Sequence, residues 1–479
     1  MLFNSWQYGI FFPVIFILYW FIPKNFRWFL LFIASYYFYM SWSAKYVVLI
    51  LFTTVISYLA GILIDKSQNQ RLRKIILILT FVSCLGVLFV FKYFNFFSET
   101  FTQILNAFSI KLHPVTLNLL LPVGISFYTF QTLGYVLDVY RKNITPEKNF
   151  GIYATFISFF PQLVAGPIER SKNLLPQIKN AHEKIFNYEQ AAYGIKLMTF
   201  GFFKKLVIAD VIAIQADRIF ADIHEYEGFA LILAVIFFTV QIYCDFSGYS
   251  DIARGCAKML GIELMENFKS PYFSASIHEF WARWHISLST WFRDYLYIPL
   301  GGNRCSKLRH YFNVLITFLI SGLWHGANLT FLIWGFVHGA AQIFENMFTN
   351  SKRLENYPHN LFWWLRVICV FMFVVTTWTF FRANTINEAV YIFQNCFNGL
   401  SDLKSYLIAG SKTFGGKKII LFVLSLLALF DYFSLKHDVI KAITSSKYLI
   451  LRYAFYFGLV TMILFFRATN EVDFVYFQF

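Results

Sequence analysis

The stretch SGLWHGANLTF, residues 321–331, sets an imidazole, His325, beside Trp324 and between Gly322 and Gly326, in one of the most apolar parts of the chain. Read outward, the run 310–334 has the length and greasiness of a segment that crosses a bilayer, which takes about 20 residues. Such runs recur from end to end. The 479 residues are 58% hydrophobic and 21% aromatic, with only 14% charged, where a soluble protein carries roughly 25% charged residues. The mean hydropathy of +0.55 agrees. These values specify an all-α, polytopic membrane protein. No long polar segment is left for a soluble domain, so the expectation is one integral membrane domain over 1–479.

Candidate spans fall near 8–22, 26–43, 46–64, 75–91, 114–138, 150–166, 190–213, 228–244, 310–334, 335–348, 361–382, 418–434 and 448–467. Several are short for a full crossing, so the count is roughly 11–13 membrane helices. Basic loops at 23–27, 65–74 and 139–149 alternate with less basic ones around 44–45 and 92–113. Placing the basic loops in the cytoplasm puts the N-terminus outside. The start of the chain has no basic leader and no small-residue cleavage pattern, so the first span is expected to stay.

Lys and Arg total 41 against 26 Asp and Glu, a net charge of +15. In a membrane protein this excess fits cytoplasmic loops and anionic headgroups. No basic cluster is interleaved with aromatics in a polar segment, which speaks against nucleic acid. The six cysteines, Cys84, Cys244, Cys256, Cys305, Cys369 and Cys396, include no C-x-x-C pair and read as single thiols.

The middle of the chain, about 241–309, is polar and aromatic together: QIYCDFSGYSDIARG (241–255), then WARWHISLSTWFRDYLYIPLGGN (281–303). It carries too much charge for a lipid-facing helix. Amphipathic helices in the interface, or helices lining a water-filled funnel, fit it. Ionisable groups at membrane depth usually face the bundle interior or a cavity, which singles out His285, His325, His338, Asp245, Asp251, Arg293 and Asp294. His278 and His285 are seven apart, about 20° from one helix face, which is not the i, i+4 spacing of a zinc helix, and no Cys/His cluster has ligand spacing. No metal is expected. DFSGYS (245–250) lacks the Gly of a G-x-S-x-G elbow and its strand–turn–helix context. That segment is either a polar helix kinked at Gly248 or a charge-lined tunnel wall. Gly322 and Gly326 either admit a second helix or clear space for a substrate. His325 is either a hydrogen-bonded core residue or a general base, since imidazole alone titrates near working pH without perturbation. His338 lies 13 positions on, roughly 140° around an ideal helix, and reads as structural.

Four segments together resemble the membrane-bound O-acyltransferase family: LPVGISFYTFQTLGYVLDVYR (121–141), PQLVAGPIERSKNLLPQ (161–177), WARWHISLSTWFRDYLYIPLGGN (281–303) and GLWHGANLTFLIWGFVHG (322–339). The likeness is close over about 115–340, which would be the acyltransferase core. The YIPLGGNR tail (297–304) looks like the branch that O-acetylates alginate, peptidoglycan and similar extracytoplasmic polysaccharides. The resemblance implies a ring of membrane helices around a thin central floor, with a funnel on each side. It also implies a location in the bacterial cytoplasmic (inner) membrane. His325 falls on the family's catalytic position and His285 on its partner, a position that is often Asn in other branches. Trp324, Asp245, Ser247, Tyr249, Arg293 and Asp294 become candidates for the substrate tunnel. Acetyl-CoA would be the donor substrate, with no bound cofactor. A periplasmic partner of the SGNH-hydrolase type would carry the acetyl group onward. The teichoic acid D-alanyl transferase branch is the near alternative. A transporter or flippase is the other, but it would tend to show matched broken helices in two halves, whereas here the polar signatures form one central block.

Overall fold

The computed structural model describes residues 1–164, 166–348, 360–413, 418–468 and 474–475, and among them every regular element is helical. Five helical stretches are long and apolar enough to cross a membrane, and shorter apolar helices such as Trp6–Phe21 and Ile420–Ser434 add to them. The protein is a multi-pass membrane protein.

One compact unit comprises Met1–Met198 and Ile252–Met265. Its helices are α1 (Trp6–Phe21), α2 (Arg27–Met40), α3 (Val47–Lys66), α4 (Gln70–Leu88), α5 (Phe94–Ala107), α6 (Ile125–Tyr140), α7 (Phe150–Ser158), α8 (Ser171–Lys179) and most of α9 (Tyr188–Phe202). α4 and α5 join through a π-helical turn, Phe89–Tyr93, into one helical stretch reaching Ala107. The expected loop at 92–113 is therefore mostly helix, because nothing between Gly86 and Ser109 breaks it. The expected span 114–138 starts late. Residues 110–122 form no regular element, and the helix begins only after Pro122 and the left-handed Gly124 (φ +74°). A side chain at Gly124 would meet the Leu163 carbonyl at 2.5 Å, so only glycine lets the two early signature segments touch there. Gln162 Nε2 donates to Gln131 Oε1 (2.7 Å), and Gln131 Nε2 donates to the Phe156 carbonyl (2.7 Å). α6 buries 14 of its 16 residues, as a helix enclosed on all sides must. Two of the cations counted as loop charges are internal: Arg27 donates to the Lys184 carbonyl (2.7 Å) and Arg73 to the Tyr140 carbonyl (2.7 Å).

The second unit comprises Thr199–Asp251 and Glu266–Phe479. A π-helix, Phe203–Ala209, leads into α10 (Asp210–Ala221). α11 (Phe229–Met259) is one unbroken helix and contributes its first 23 residues here, up to Asp251. QIYCDFSGYSDIARG is thus part of a single long helix, with Gly248 in its interior. Helical structure runs through that glycine, whose missing Cβ admits the Gly201 carbonyl (2.8 Å from the position a Cβ would take). The most apolar window of α11 is 72% buried inside the protein, against 17% for that of α4–α5. Its Gln241, Asp245, Ser247 and Ser250 are buried in protein, while α4 and α5 turn apolar side chains such as Ile75, Leu79, Val82, Phe97 and Phe101 outward, to lipid. Then come α12 (Ile277–Arg283), α13 (Ile286–Phe292), a π-helical turn Arg293–Tyr297, α14 (Lys307–His325), α15 (Leu329–Phe348), α16 (Leu361–Arg382), α17 (Ile386–Asn395), α18 (Lys418–Ser434) and α19 (Leu449–Phe466). The expected spans 310–334 and 335–348 are redrawn. The chain breaks at 326–328, and α15 runs whole from Leu329.

Candidate active site

His325 is the last residue of α14. The chain leaves the helix through Gly326 (φ −160°, ψ 152°), and Asn328 opens α15 by accepting the Thr330 N–H through its side-chain oxygen (3.1 Å). Where α14 and α15 meet, their backbones touch. A Cβ on Gly322 would sit 2.3 Å from the Phe331 carbonyl, and one on Gly335 would sit 2.4 Å from the Phe318 carbonyl. A Cβ on Gly326 would strike the Phe331 ring at 2.0 Å. These glycines seat α15 and do not leave room for a substrate, which decides between the two readings of Gly322 and Gly326. The close hairpin fixes the direction of the His325 side chain. Its ring lies among Trp324, Trp334 and Phe381, with centroids 5.0, 5.2 and 5.2 Å away, all near perpendicular or steeply tilted.

His285 arrives from a different element. It separates α12 from α13 and is wholly buried, with left-handed backbone angles (φ +44°, ψ +53°). Such a conformation in a non-glycine residue costs of order 1–3 kcal/mol and persists where the surroundings enforce it. Asn267 does so. Its carbonyl accepts the Ile286 N–H (3.0 Å), its Oδ1 accepts the Ser287 N–H (3.2 Å), and its Nδ2 donates to Ser250 Oγ (3.3 Å) on α11. On the other side Trp284 packs against Phe268 and Trp378. The His285 ring stands edge-on to Phe246 (4.6 Å, 90°), 5.9 Å from Trp324 and 6.4 Å from His325. At that separation the two imidazoles lie beyond direct hydrogen-bond reach, with an aromatic enclosure around both.

The other sequence candidates divide. Trp324 is buried beside both histidines. Asp245, Ser247 and Tyr249 are buried on α11 on either side of Phe246. Asp245 has both oxygens engaged: Oδ1 pairs with Lys205 (2.8 Å), and Oδ2 accepts the Val475 N–H (2.7 Å). Lys205 also pairs with Asp210 (2.7 Å), so one buried lysine is shared by two carboxylates. Asp251 is likewise paired, with Lys204 (2.7 Å). Arg293 and Asp294 pair with each other (2.8 Å) on the π-helical turn after α13. Arg293 lines a cavity of ≈ 380 Å³ that also presents His310, Tyr297, Phe292, Phe318 and Trp281. Trp281 packs on Trp334 (5.7 Å), which packs on His325, so the cavity and the His325 enclosure share an aromatic wall. His338 packs against the same wall, on Trp281 and Trp334, and beside Phe373, with Nε2 3.0 Å from the Thr377 hydroxyl. Among the described residues no three His, Cys, Asp or Glu side chains converge as metal ligands would. Sequence reading missed Asn267, Phe246 and Lys205. Only Phe246 lay inside a quoted motif, and nothing local to Asn267 marks it.

The chain is similar to several known proteins. The family model of the membrane-bound O-acyltransferases matches residues 18–387. The "Probable alginate O-acetylase AlgI" of Pseudomonas aeruginosa is 39% identical over 391 residues, 81% of this chain and 73% of the relative. The "Peptidoglycan O-acetyltransferase" of Helicobacter pylori is 34% identical over 397 residues, 77% of this chain and 74% of the relative. A "Teichoic acid D-alanyltransferase" of Streptococcus thermophilus is 31% identical, but over only 248 residues, 48% of this chain. With paired histidines in a buried aromatic enclosure and a family match across most of its length, the chain belongs to the membrane-bound O-acyltransferase family.

Proposed function

We propose that this chain is the transmembrane acetyl-transfer component of a polysaccharide O-acetylation system in the bacterial cytoplasmic membrane, with acetyl-CoA as its cytoplasmic donor. The observation that carries this reading is the meeting of His285 and His325, 6.4 Å apart, inside the second unit. His325 acts as general base. It takes the proton of an attacking hydroxyl as that oxygen bonds the thioester carbonyl carbon. The carbon–sulfur bond then breaks, and the proton passes to the departing CoA thiolate. Base assistance of this kind contributes about 10² to 10⁴-fold. His285 and the Trp324 indole flank the position where the oxyanion would develop, and donors there act strongly because water is excluded.

The cavity lined by Arg293, His310 and the aromatic wall suits a ligand with an anionic head and an apolar arm, and it is the proposed route of the donor. The basic loops after α3 and α6 then lie in the cytoplasm, and the N-terminus lies outside. The acceptor glycan is extracytoplasmic, so the acetyl group leaves on a periplasmic partner of the SGNH-hydrolase type. Long similarity to an alginate and a peptidoglycan acetyltransferase, against a half-chain match to a D-alanyltransferase, favours acetyl over D-alanyl transfer. Membranes carrying His325→Ala test the reading: thioester turnover from radiolabelled acetyl-CoA and O-acetylation of cell polysaccharide should both be lost. Wild-type turnover by a normally folded variant would sink the catalytic assignment.

A further inference from the structure

The second unit contains a piece of chain that no motif covers. After α19 the backbone joins the π-helix, where the Ala468 N–H donates to the Leu206 carbonyl (3.4 Å). π-Helical geometry tends to mark functional positions. Phe474 and Val475 then lie completely inside the protein. The Phe474 ring packs on Tyr249 (4.5 Å) and Phe246 (6.0 Å), and the Val475 N–H donates to Asp245 Oδ2. Asp245 is itself held by Lys205. Phe246 is the residue whose ring stands perpendicular to that of His285, 4.6 Å away. The order of contact is therefore Lys205–Asp245–Val475, Phe474–Phe246, Phe246–His285.

We propose that the Phe474–Val475 segment is a positioning element of the acyl-transfer site, setting the His285 imidazole through Phe246; this rests on the assignment of His285 and His325 above. Burial of an apolar residue near the C-terminal end of a membrane chain would, by itself, be ordinary core packing. Two features go further. The Val475 N–H donates a charge-assisted hydrogen bond to Asp245, the helix residue directly before Phe246, so a shift of the segment and a shift of Phe246 are linked. And Phe246 presents a ring to Phe474 (6.0 Å) and to His285 (4.6 Å) alike, with Phe268 (5.0 Å) as its other aromatic neighbour, so the segment forms part of the support behind the imidazole. The segment touches no reacting atom; it acts through Phe246.

The test uses the full-length protein, purified in detergent, with acetyl-CoA turnover measured for Phe474→Ala, Phe474→Leu and Val475→Pro. Val475→Pro removes the donated N–H, and also exchanges the buried valine side chain for a ring that fixes φ near −65°. A misplacement near 1 Å can lower turnover about 10²-fold. Phe474→Ala and Val475→Pro should lower kcat on that scale while KM for acetyl-CoA stays within about threefold, the pattern of lost transition-state interactions. Phe474→Leu, which keeps most of the apolar volume, should recover most of kcat. Equal turnover by folded Phe474→Ala would overturn the proposal. So would loss of folded protein in all three variants, which would assign the segment to assembly of the core. His325→Ala in the same assay separates the two inferences. If it is inactive while Phe474→Ala is not, only the positioning role falls; if it is active, the site assignment itself falls.

Discussion

Replacing His285 by Gly, Ala and Asn separates its backbone role from its imidazole. At φ +44°, ψ +53° a side chain with a Cβ is strained by roughly 1–2 kcal/mol, whereas glycine adopts the region freely. Against this, alanine restricts the unfolded chain and gains about 0.4–1 kcal/mol over glycine at an unstrained position. Both substitutions empty nearly the same buried volume, so the packing loss cancels between them. The net expectation is that His285→Gly is more stable than His285→Ala by about 1 kcal/mol, roughly a fivefold difference in the folded-to-unfolded ratio. The sign is opposite to that at an ordinary position. Denaturant titration of the purified variants in detergent reads it out. Alanine equal to or better than glycine would refute the left-handed backbone and, with it, the role given to Asn267. His285→Asn completes the set, because Asn tolerates the left-handed region and loses only the ring. It should fold like the parent and show reduced acetyl transfer. Full activity would remove His285 from proton transfer or oxyanion stabilisation and leave His325 to act alone.

Two further outcomes test the donor side and the orientation. Arg293→Glu should raise KM for acetyl-CoA about tenfold or more with kcat nearly unchanged, since a hydrogen bond to a charged group is worth about 1.5–3 kcal/mol; an unaltered KM would take the donor away from that cavity. In a background where the native cysteines are replaced, Gln68→Cys, exposed between α3 and α4, should react with a membrane-impermeant maleimide only after the cells are opened, and labelling of intact cells would invert the topology.

The hydropathy pattern made the apolar helices legible, and it misread their ends where chemistry local to a few residues decides. The π-turn at 89–93 lets α4 run on into α5, and Gly124 delays α6 because its left-handed backbone must pass the Leu163 carbonyl. Neither depends on hydrophobicity, so neither shows in a window average. At the site, spacing alone left His325 balanced between core and chemistry, and it was the company of four motifs that named His285 and His325. What the motifs could not convey is how they are held. Gly322 is read correctly only beside Phe331 and Gly335, since the same glycine is consistent with an open pocket or a closed helix seam. Asn267 lies between motifs and acts through one side chain on two elements at once, touching Ser287 after His285 and Ser250 on α11. Asp245 looked like a tunnel charge because its partners, Lys205 forty residues before it and Val475 at the far end of the chain, are invisible to any local reading. The two candidate histidines of this site are therefore marked by sequence neighbours, while their geometry is set by residues distant in sequence that carry no motif. A substitution scan confined to the motifs would find the histidines and miss what keeps them 6.4 Å apart.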